Sequence, residues 1–193
     1  MNTTSIIGTR TEQNLLKAFA GESQARSRYT FYAHKAKKEG FEEIAKYFAE
    51  TAANEEEHAK IFFGFLEGGM VEITASYPAG IIGTTAHNLK EAAEGEYDEW
   101  ANLYPVYGQI AEDEGFRRVA HMFRMIVEIE KFHENRYNSL LSTLEAGKMF
   151  RKDDPVIWEC MKCGFRANAK EAPGVCPVCG KPQGYFELYS DKY

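Results

Sequence analysis

From Glu12 to Glu39, apolar and aromatic side chains return at Leu15, Leu16, Phe19, Ala20 and onward. That is the period of a helix with one buried face, not the alternation of a strand. Thr9 and Glu12 stand at capping-box spacing before it, and Gly40 suits its C-cap. A second helix is predicted from Phe41 to about Glu67, stopped by Gly68-Gly69. The stretch from Met70 to Thr85 holds Pro78, Gly80 and Gly83 and reads as a long connection. A third helix spans about Ala86 to Asp113, with Pro105 expected to disturb its middle. Gly115 marks a turn, and a fourth helix runs to about Ala146, where Gly147 ends it. At 1.5 Å per residue these helices are each on the order of 40 Å long.

Four such helices with one long crossover describe an all-α four-helix bundle of the ferritin-like kind. The pattern also repeats internally. A shift of 75 residues carries Tyr29 onto Tyr104, Ala36 onto Ala111, and Glu39-Gly40-Phe41 onto Glu114-Gly115-Phe116. The same shift carries Ala45 to Ala120, Phe48 to Phe123, Glu55 to Glu130 and His58 to His133. Two hairpins that merely share a helical composition would match in places, but not this often in one register. A duplicated hairpin implies approximate two-fold symmetry inside the bundle.

The 193 residues leave room for one bundle and a small appendage. The expected division is a bundle over 1–147, a linker over 148–156 and a cysteine-bearing module over 157–193. With 23 Lys+Arg against 29 Asp+Glu the net charge is −6, which argues against a nucleic-acid surface. No run approaches the roughly 18 consecutive apolar residues of a membrane span. The first residues, MNTTSIIGTRTEQ, lack a basic start and a sustained apolar run, so no secretory signal is expected and a cytoplasmic location is.

What the repeat holds in common is metal-binding chemistry. Glu55-Glu56-Glu57-His58 and Glu130-Lys131-Phe132-His133 are both E-x-x-H, and on a helix i and i+3 share a face. Each follows a helix with a further glutamate: Glu22 lies 33 residues before Glu55, and Glu96 lies 34 before Glu130. Di-metal carboxylate bundles use one Glu from each of two helices and E-x-x-H from each of the other two. Phe19 and Ala20 precede Glu22, and Ile126, Val127 and Ile129 precede Glu130, so these acids stand where unpaired charge is costly. Mixed carboxylate and imidazole donors suit iron or manganese. Glu99, at i+3 from Glu96, reads from the residues alone either as a further ligand or as a surface acid. Tyr29 and Tyr104 return to nearly the faces of Glu22 and Glu96, as core aromatics or as hydroxyl donors near a metal.

All four cysteines lie in two C-x-x-C pairs, Cys160/Cys163 and Cys176/Cys179, each followed by glycine. Such glycines allow tight turns whose backbone N–H groups reach thiolate sulfur. A module of roughly 35 residues cannot rest on core burial alone, so a bound metal is expected. Tetrahedral four-sulfur ligation suits zinc or iron, and the spacing leaves the two open. Trp158, Tyr185 and Phe186 offer an apolar shell.

Over nearly its whole length the chain resembles the rubrerythrins. The stretches that carry the resemblance include Ala20-Gly21-Glu22-Ser23-Gln24-Ala25-Arg26, Glu55-Glu56-Glu57-His58-Ala59-Lys60 and Phe65-Leu66-Glu67-Gly68-Gly69. Others are Tyr77-Pro78-Ala79-Gly80-Ile81, Gly95-Glu96-Tyr97-Asp98-Glu99-Trp100, Glu130-Lys131-Phe132-His133-Glu134 and the cysteine knuckles. The resemblance implies a non-haem peroxidase that reduces hydrogen peroxide to water. It implies two irons bridged by Glu55 and Glu130, with Glu22, Glu96 and His133 as terminal ligands. Glu99 and His58 would alternate on one iron, Glu99 in the oxidised state and His58 in the reduced one. Tyr29 and Tyr104 would donate hydrogen bonds near the site. A third iron on Cys160, Cys163, Cys176 and Cys179, with zinc as a possible substitute, would return electrons. Electrons would come from rubredoxin or an NAD(P)H-dependent reductase, within a homodimer that passes them between subunits. The alternatives are a ferritin-like oxidase that consumes oxygen, and a non-catalytic protein with zinc on the cysteines.

Overall fold

The computed structural model describes residues 5–191. The outer limits of the two expected domains, and the first four residues of the stretch weighed as a signal, lie outside these. Helix α1 (Arg10–Glu39) starts where the sequence marks it: Thr9 Oγ1 accepts from the Glu12 amide, and Glu12 accepts from the Gly8 amide at 2.8 Å. It ends at Gly40, whose φ of 83° only glycine adopts without strain. Helix α2 (Glu42–Phe63) stops four residues short of the expected Glu67. Phe65 and Leu66 turn inward there and pack against the core instead of extending the helix.

The extended stretch 68–84 then crosses the bundle to α3 (Thr85–Asp98), whose N-cap Thr84 accepts from His87. The disturbance expected at Pro105 takes a definite form. Glu99–Leu103 is a π-helical turn, closed by the Tyr104 amide on the Glu99 carbonyl, and α4 (Tyr104–Asp113) resumes with Pro105 in its first turn. A proline inside an α-helix lacks a donor and clashes with the carbonyl four residues back, and the wider turn relieves both. Helix α5 (Arg117–Glu145) completes the bundle.

The π turn also accounts for the repeat. From Thr11/Thr85 through Asn14/Asn88, Leu15/Leu89, Ala18/Ala92 and Gly21/Gly95 to Glu22/Glu96, the offset is 74. From Tyr29/Tyr104 onward it is 75. One residue has been inserted between, and the π turn absorbs it without shifting the faces of the helix on either side.

The two hairpins, α1–α2 and α3/α4–α5, cap one another across the two-fold. Glu114 accepts from the Thr11 amide and hydroxyl at 2.9 and 2.6 Å, and Glu39 accepts from those of Thr85 at 2.8 and 2.6 Å. Two apolar clusters fill the interior. One gathers Tyr29, Tyr32, Ile44, Phe48, Leu89 and Tyr137, the other Leu15, Phe62, Tyr104, Val119, Phe123 and Ile126. Glu22, Glu55, His58, Glu96, Glu130 and His133 fall between the two, so a polar layer has an apolar plug on either side.

The stretch expected as a linker, 148–156, is structured instead. Strand β1 (Arg151–Cys160) begins inside it, and Phe150 stacks on Phe41 with ring centroids 6.0 Å apart. β1 is the centre of an antiparallel sheet of order β2-β1-β3, between β2 (Arg166–Glu171) and β3 (Phe186–Leu188). Its register slips between Arg151 and Val156, around Pro155, which has no amide to give the ladder. Trp158 is fully buried, and its indole N–H donates to Ala169 at 3.0 Å. The module is held to the bundle by Lys46–Glu187 at 2.8 Å and by a close backbone approach. A Cβ at Gly184 would lie 2.1 Å from the Gly40 carbonyl oxygen.

Two candidate metal centres

In the sealed layer of the bundle, glutamates from four helices converge. Glu22 (α1), Glu55 (α2), Glu96 (α3) and Glu130 (α5) are all fully or almost fully buried. The i, i+3 spacing delivers the imidazoles to the same point. His58 Nδ1 lies 2.9 Å from both Glu55 and Glu130, and His133 Nδ1 lies 2.8 Å from Glu130 and 3.2 Å from Glu55. Donor atoms of Glu22, Glu55, His58 and Glu130 fall within 4.8 Å of one another, as do those of Glu55, Glu96, Glu130 and His133. Glu55 and Glu130 belong to both groups, which is where bridging ligands stand between two ions.

The residues fit a pair of cations. Glu22 Oε2, both Glu55 oxygens, Glu96 Oε2 and Glu130 Oε1 are buried without a well-directed donor; among the described groups, those that approach most of them are imidazole Nδ1 atoms. Four buried carboxylates face only two imidazoles, and two divalent cations would cancel their charge in full. The same frustration sets the acid–base behaviour. Burial, then the neighbouring acids Glu99, Glu130 and Glu55, pushes Glu22 well above the usual carboxylate range. Burial and Glu55 push Glu96 up in the same way. Burial opposes charge on His58 and His133, but their contacts to Glu130 and Glu55 outweigh it and push them up to about 10 and about 12. Burial likewise opposes charge on Glu130, but the two imidazoles outweigh it and hold it at about 2.

Supporting groups repeat across the two-fold. Tyr29 donates to Glu96 at 2.5 Å, and Tyr104 donates to Glu22 at 2.6 Å, so each tyrosine holds the glutamate of the opposite hairpin. Both serve as packed core aromatics as well, so the two readings of these residues do not exclude each other. Glu99 stands apart, in neither donor group. Its Oε1 would lie 3.9 Å from a Cβ on Gly21, and its carboxylate lines a cavity open to solvent.

Sequence reasoning passed over two neighbours of the centre. Asn54 faces His133 Nε2 with its amide oxygen at 3.3 Å, the kind of outer partner that orients a ligating imidazole. Nothing in one chain's sequence flags it. Tyr137 is fully buried, with its ring 5.5 Å from that of Tyr29. Its signal was present, since it follows His133 at i+4 on the same helix face.

The second centre lies in the module. Cys160 and Cys179 sulfurs are 3.7 Å apart, and those of Cys163 and Cys176 are 3.6 Å apart. Four sulfurs at metal–sulfur bonds of about 2.3 Å form a tetrahedron with edges of about 3.8 Å, so the set is already at ligating distance. Gly164 and Gly180, at φ 74° and 70°, close the two knuckles by donating to the carbonyls of Cys160 and Cys176. Burial opposes ionisation of Cys176, but the amides of Cys179 and Val178 outweigh it and bring the thiol to about 7.

Comparison with known proteins agrees with this arrangement. Residues 13–141 match the family model described as rubrerythrin, and residues 158–187 match that of the rubrerythrin rubredoxin-like domain. The chain is 56% identical to a rubrerythrin of Porphyromonas gingivalis, over 98% of its own length and 94% of the relative's. It is 54% identical to rubrerythrin-1 of Clostridium acetobutylicum, over 98% and 99%. Among solved structures, the fully reduced, all-ferrous state of nigerythrin covers 97% of this chain and 95% of its own, with a TM-score of 0.63 at 29% identity. With its donor sets suited to iron in both domains, the chain belongs to the rubrerythrin family of di-iron proteins, a ferritin-like bundle followed by a rubredoxin-like module.

Proposed function

We propose that this protein is a non-haem peroxidase that reduces hydrogen peroxide to water in defence against oxidative stress. The cysteine module relays electrons to the carboxylate centre. The observation that carries this reading is the pairing, in one chain, of a donor layer shared through Glu55 and Glu130 with a four-thiolate set. When bound, the irons of the bundle supply the two electrons that O–O cleavage consumes, and iron on the thiolates supplies their replacements singly.

The chain's own part is to hold, orient and exclude. Tyr29 and Tyr104 each occupy one oxygen of a glutamate and leave the other, Glu96 Oε2 or Glu22 Oε2, without a donor and ready for a metal. Burial and the facing carboxylates keep both phenols well above the usual tyrosine range, so they remain donors at working pH. The two aromatic plugs keep bulk water from the layer, which strengthens every charge interaction inside it. Glu99 is the fifth acid of the site. Four carboxylates would balance two divalent cations, and Glu99, which lines the neighbouring cavity, would be the further acid available to a more highly charged pair.

The module's attachment bears on electron supply. Gly184 meets Gly40, which lies 18 residues from Glu22, or about 27 Å along α1 at 1.5 Å per residue. Such a span is long for direct transfer within one chain. It favours a homodimer in which one subunit's module faces its partner's bundle, fed by rubredoxin or an NAD(P)H-dependent reductase in the cytoplasm. The test is to mix fully reduced protein with hydrogen peroxide and, separately, with oxygen. Faster oxidation by peroxide is expected; faster oxidation by oxygen would favour a ferritin-like oxidase. A colourless protein from iron-replete cells would favour zinc in the module.

A further inference from the structure

The cavity beside Glu99 has a volume of about 460 Å³. Hydrogen peroxide has two heavy atoms and needs the room of about two waters, each near 30 Å³. The space is several times larger than that substrate requires and falls in the size range of organic-ligand pockets. Its walls are mixed, with an aromatic stretch set among polar side chains. The rings of Tyr77, Tyr104 and Tyr107 and the side chain of Leu103 line it, and its inner end reaches Glu99. The crossing segment supplies its outer wall, where the Tyr77 hydroxyl donates to the Lys17 carbonyl at 2.8 Å. Gly21 leaves the floor open: a Cβ there would lie 3.7 Å from the Tyr77 ring and 3.9 Å from Glu99.

We infer that this cavity admits neutral organic hydroperoxides, and that the protein reduces alkyl and aryl hydroperoxides as well as hydrogen peroxide. The inference rests on the peroxidase reading and specifies its substrate class. The alkyl or aryl group lies against the tyrosine rings and Leu103, and the hydroperoxy group points to Glu99. The stoichiometry is that of hydrogen peroxide. The O–O bond of ROOH breaks, two electrons from the reduced protein and two protons are taken up, and ROH and water leave. No new reductant is needed. The lining favours neutral substrates: Lys17 and Arg28 are outnumbered by Glu91, Glu94, Asp98 and Glu99, which disfavour an anionic lipid hydroperoxide.

The test has a binding arm and a kinetic arm. Cumyl alcohol, the product of cumene hydroperoxide, is titrated into the oxidised holoprotein and followed by saturation-transfer NMR. Oxidation of the reduced protein is then timed with cumene hydroperoxide, hydrogen peroxide and linoleic acid hydroperoxide. Gly21→Leu fills the floor with a helix-forming residue, and Tyr77→Ala removes one ring from a surface segment. Gly21→Leu is expected to weaken cumyl alcohol binding, and to lower the rate with cumene hydroperoxide relative to hydrogen peroxide, by about tenfold or more. Tyr77→Ala is expected to weaken binding several-fold. Equal binding by wild type and both variants, or an unchanged rate ratio, would overturn the inference. So would faster reaction with the linoleic acid hydroperoxide than with cumene hydroperoxide. Reduction of hydrogen peroxide without that of cumene hydroperoxide sinks this inference alone; reduction of neither sinks the peroxidase reading with it.

Discussion

Replacing Glu114 by alanine removes, at one stroke, the acceptor for the Thr11 amide, the Thr11 hydroxyl and the Arg10 amide, at 2.9, 2.6 and 3.2 Å. Thr11 is fully buried, whereas Glu114 itself is only half-buried, so water reaches part of the space its carboxylate leaves. Loss of a cap costs about 1 kcal/mol, and orphaning a buried polar group costs about 1–3 kcal/mol. We therefore expect Glu114→Ala to destabilise the protein by about 2 kcal/mol, which lowers Tm by about 4–8 °C for a chain of this size. Glu39→Ala removes the matching acceptor of Thr85 and should cost a similar amount. The glutamine variants keep an acceptor and lose only the charge at the helix N-terminus, worth up to about 1 kcal/mol. The sign with pH follows from the carboxyls themselves. Burial opposes their ionisation, but hydrogen bonds from Thr85 and Thr11 outweigh it and hold Glu39 and Glu114 below the usual range. A depressed folded pKa gives stability that is present above the unfolded value, about 4.3, and lost as pH falls through the folded value. The gap between wild type and each alanine variant should be full at pH 7 and shrink below about pH 4. Urea unfolding followed by helical circular dichroism measures it. A cost under about 0.5 kcal/mol for either variant, or a cost at one site only, would refute reciprocal capping as the device that registers the hairpins.

Three further outcomes are expected. Glu55→Ala removes a donor common to both groups, so bundle iron should be lost while the visible absorption of the cysteine centre persists; unchanged total iron would contradict the shared-ligand assignment. Cys163→Ser should impair re-reduction under steady turnover, yet leave a single turnover of the chemically reduced bundle intact; equal loss in both would argue against a relay. Gly184→Val drives a side chain into the Gly40 carbonyl and should lift the module from the bundle. It should be seen as faster proteolytic cleavage within 148–156 with the absorption of the cysteine centre retained, and unaltered cleavage would mean that the contact does not hold the module.

The helical period and the two E-x-x-H repeats made the bundle and its ligand pairs legible, because spacing along a helix translates directly into a shared face. The cysteine knuckles were legible for the same reason: two glycine-bearing turns leave four sulfurs few other arrangements. The metal identity was not, since zinc and iron accept the same tetrahedron. The stretch 148–156 misled because its polar residues and Pro155 look like a linker. Its backbone joins the sheet all the same, and the anchor is Phe150 on Phe41, a contact between residues far apart in sequence. The π turn was half visible. The separations of 33 and 34 residues within the two halves differed by one, but only the structure shows where the extra residue sits. Asn54 and Gly184 were invisible, since each acquires its role from a partner the sequence does not point to.

A strictly duplicated pair of hairpins would build a centre with two identical ends. The inserted residue prevents that. In the first half, the position equivalent to Glu99 by the 74-residue offset is Ala25, which is buried in the core. In the second half, the π turn carries an acid to the edge of an open cavity. The symmetric frame thus has a front and a back. A molecule arriving from solvent would meet one donor group before the other, so cations held by the two groups need not share their chemistry equally. A single inserted amino acid is enough to give direction to a site whose scaffold, by its ancestry, had none.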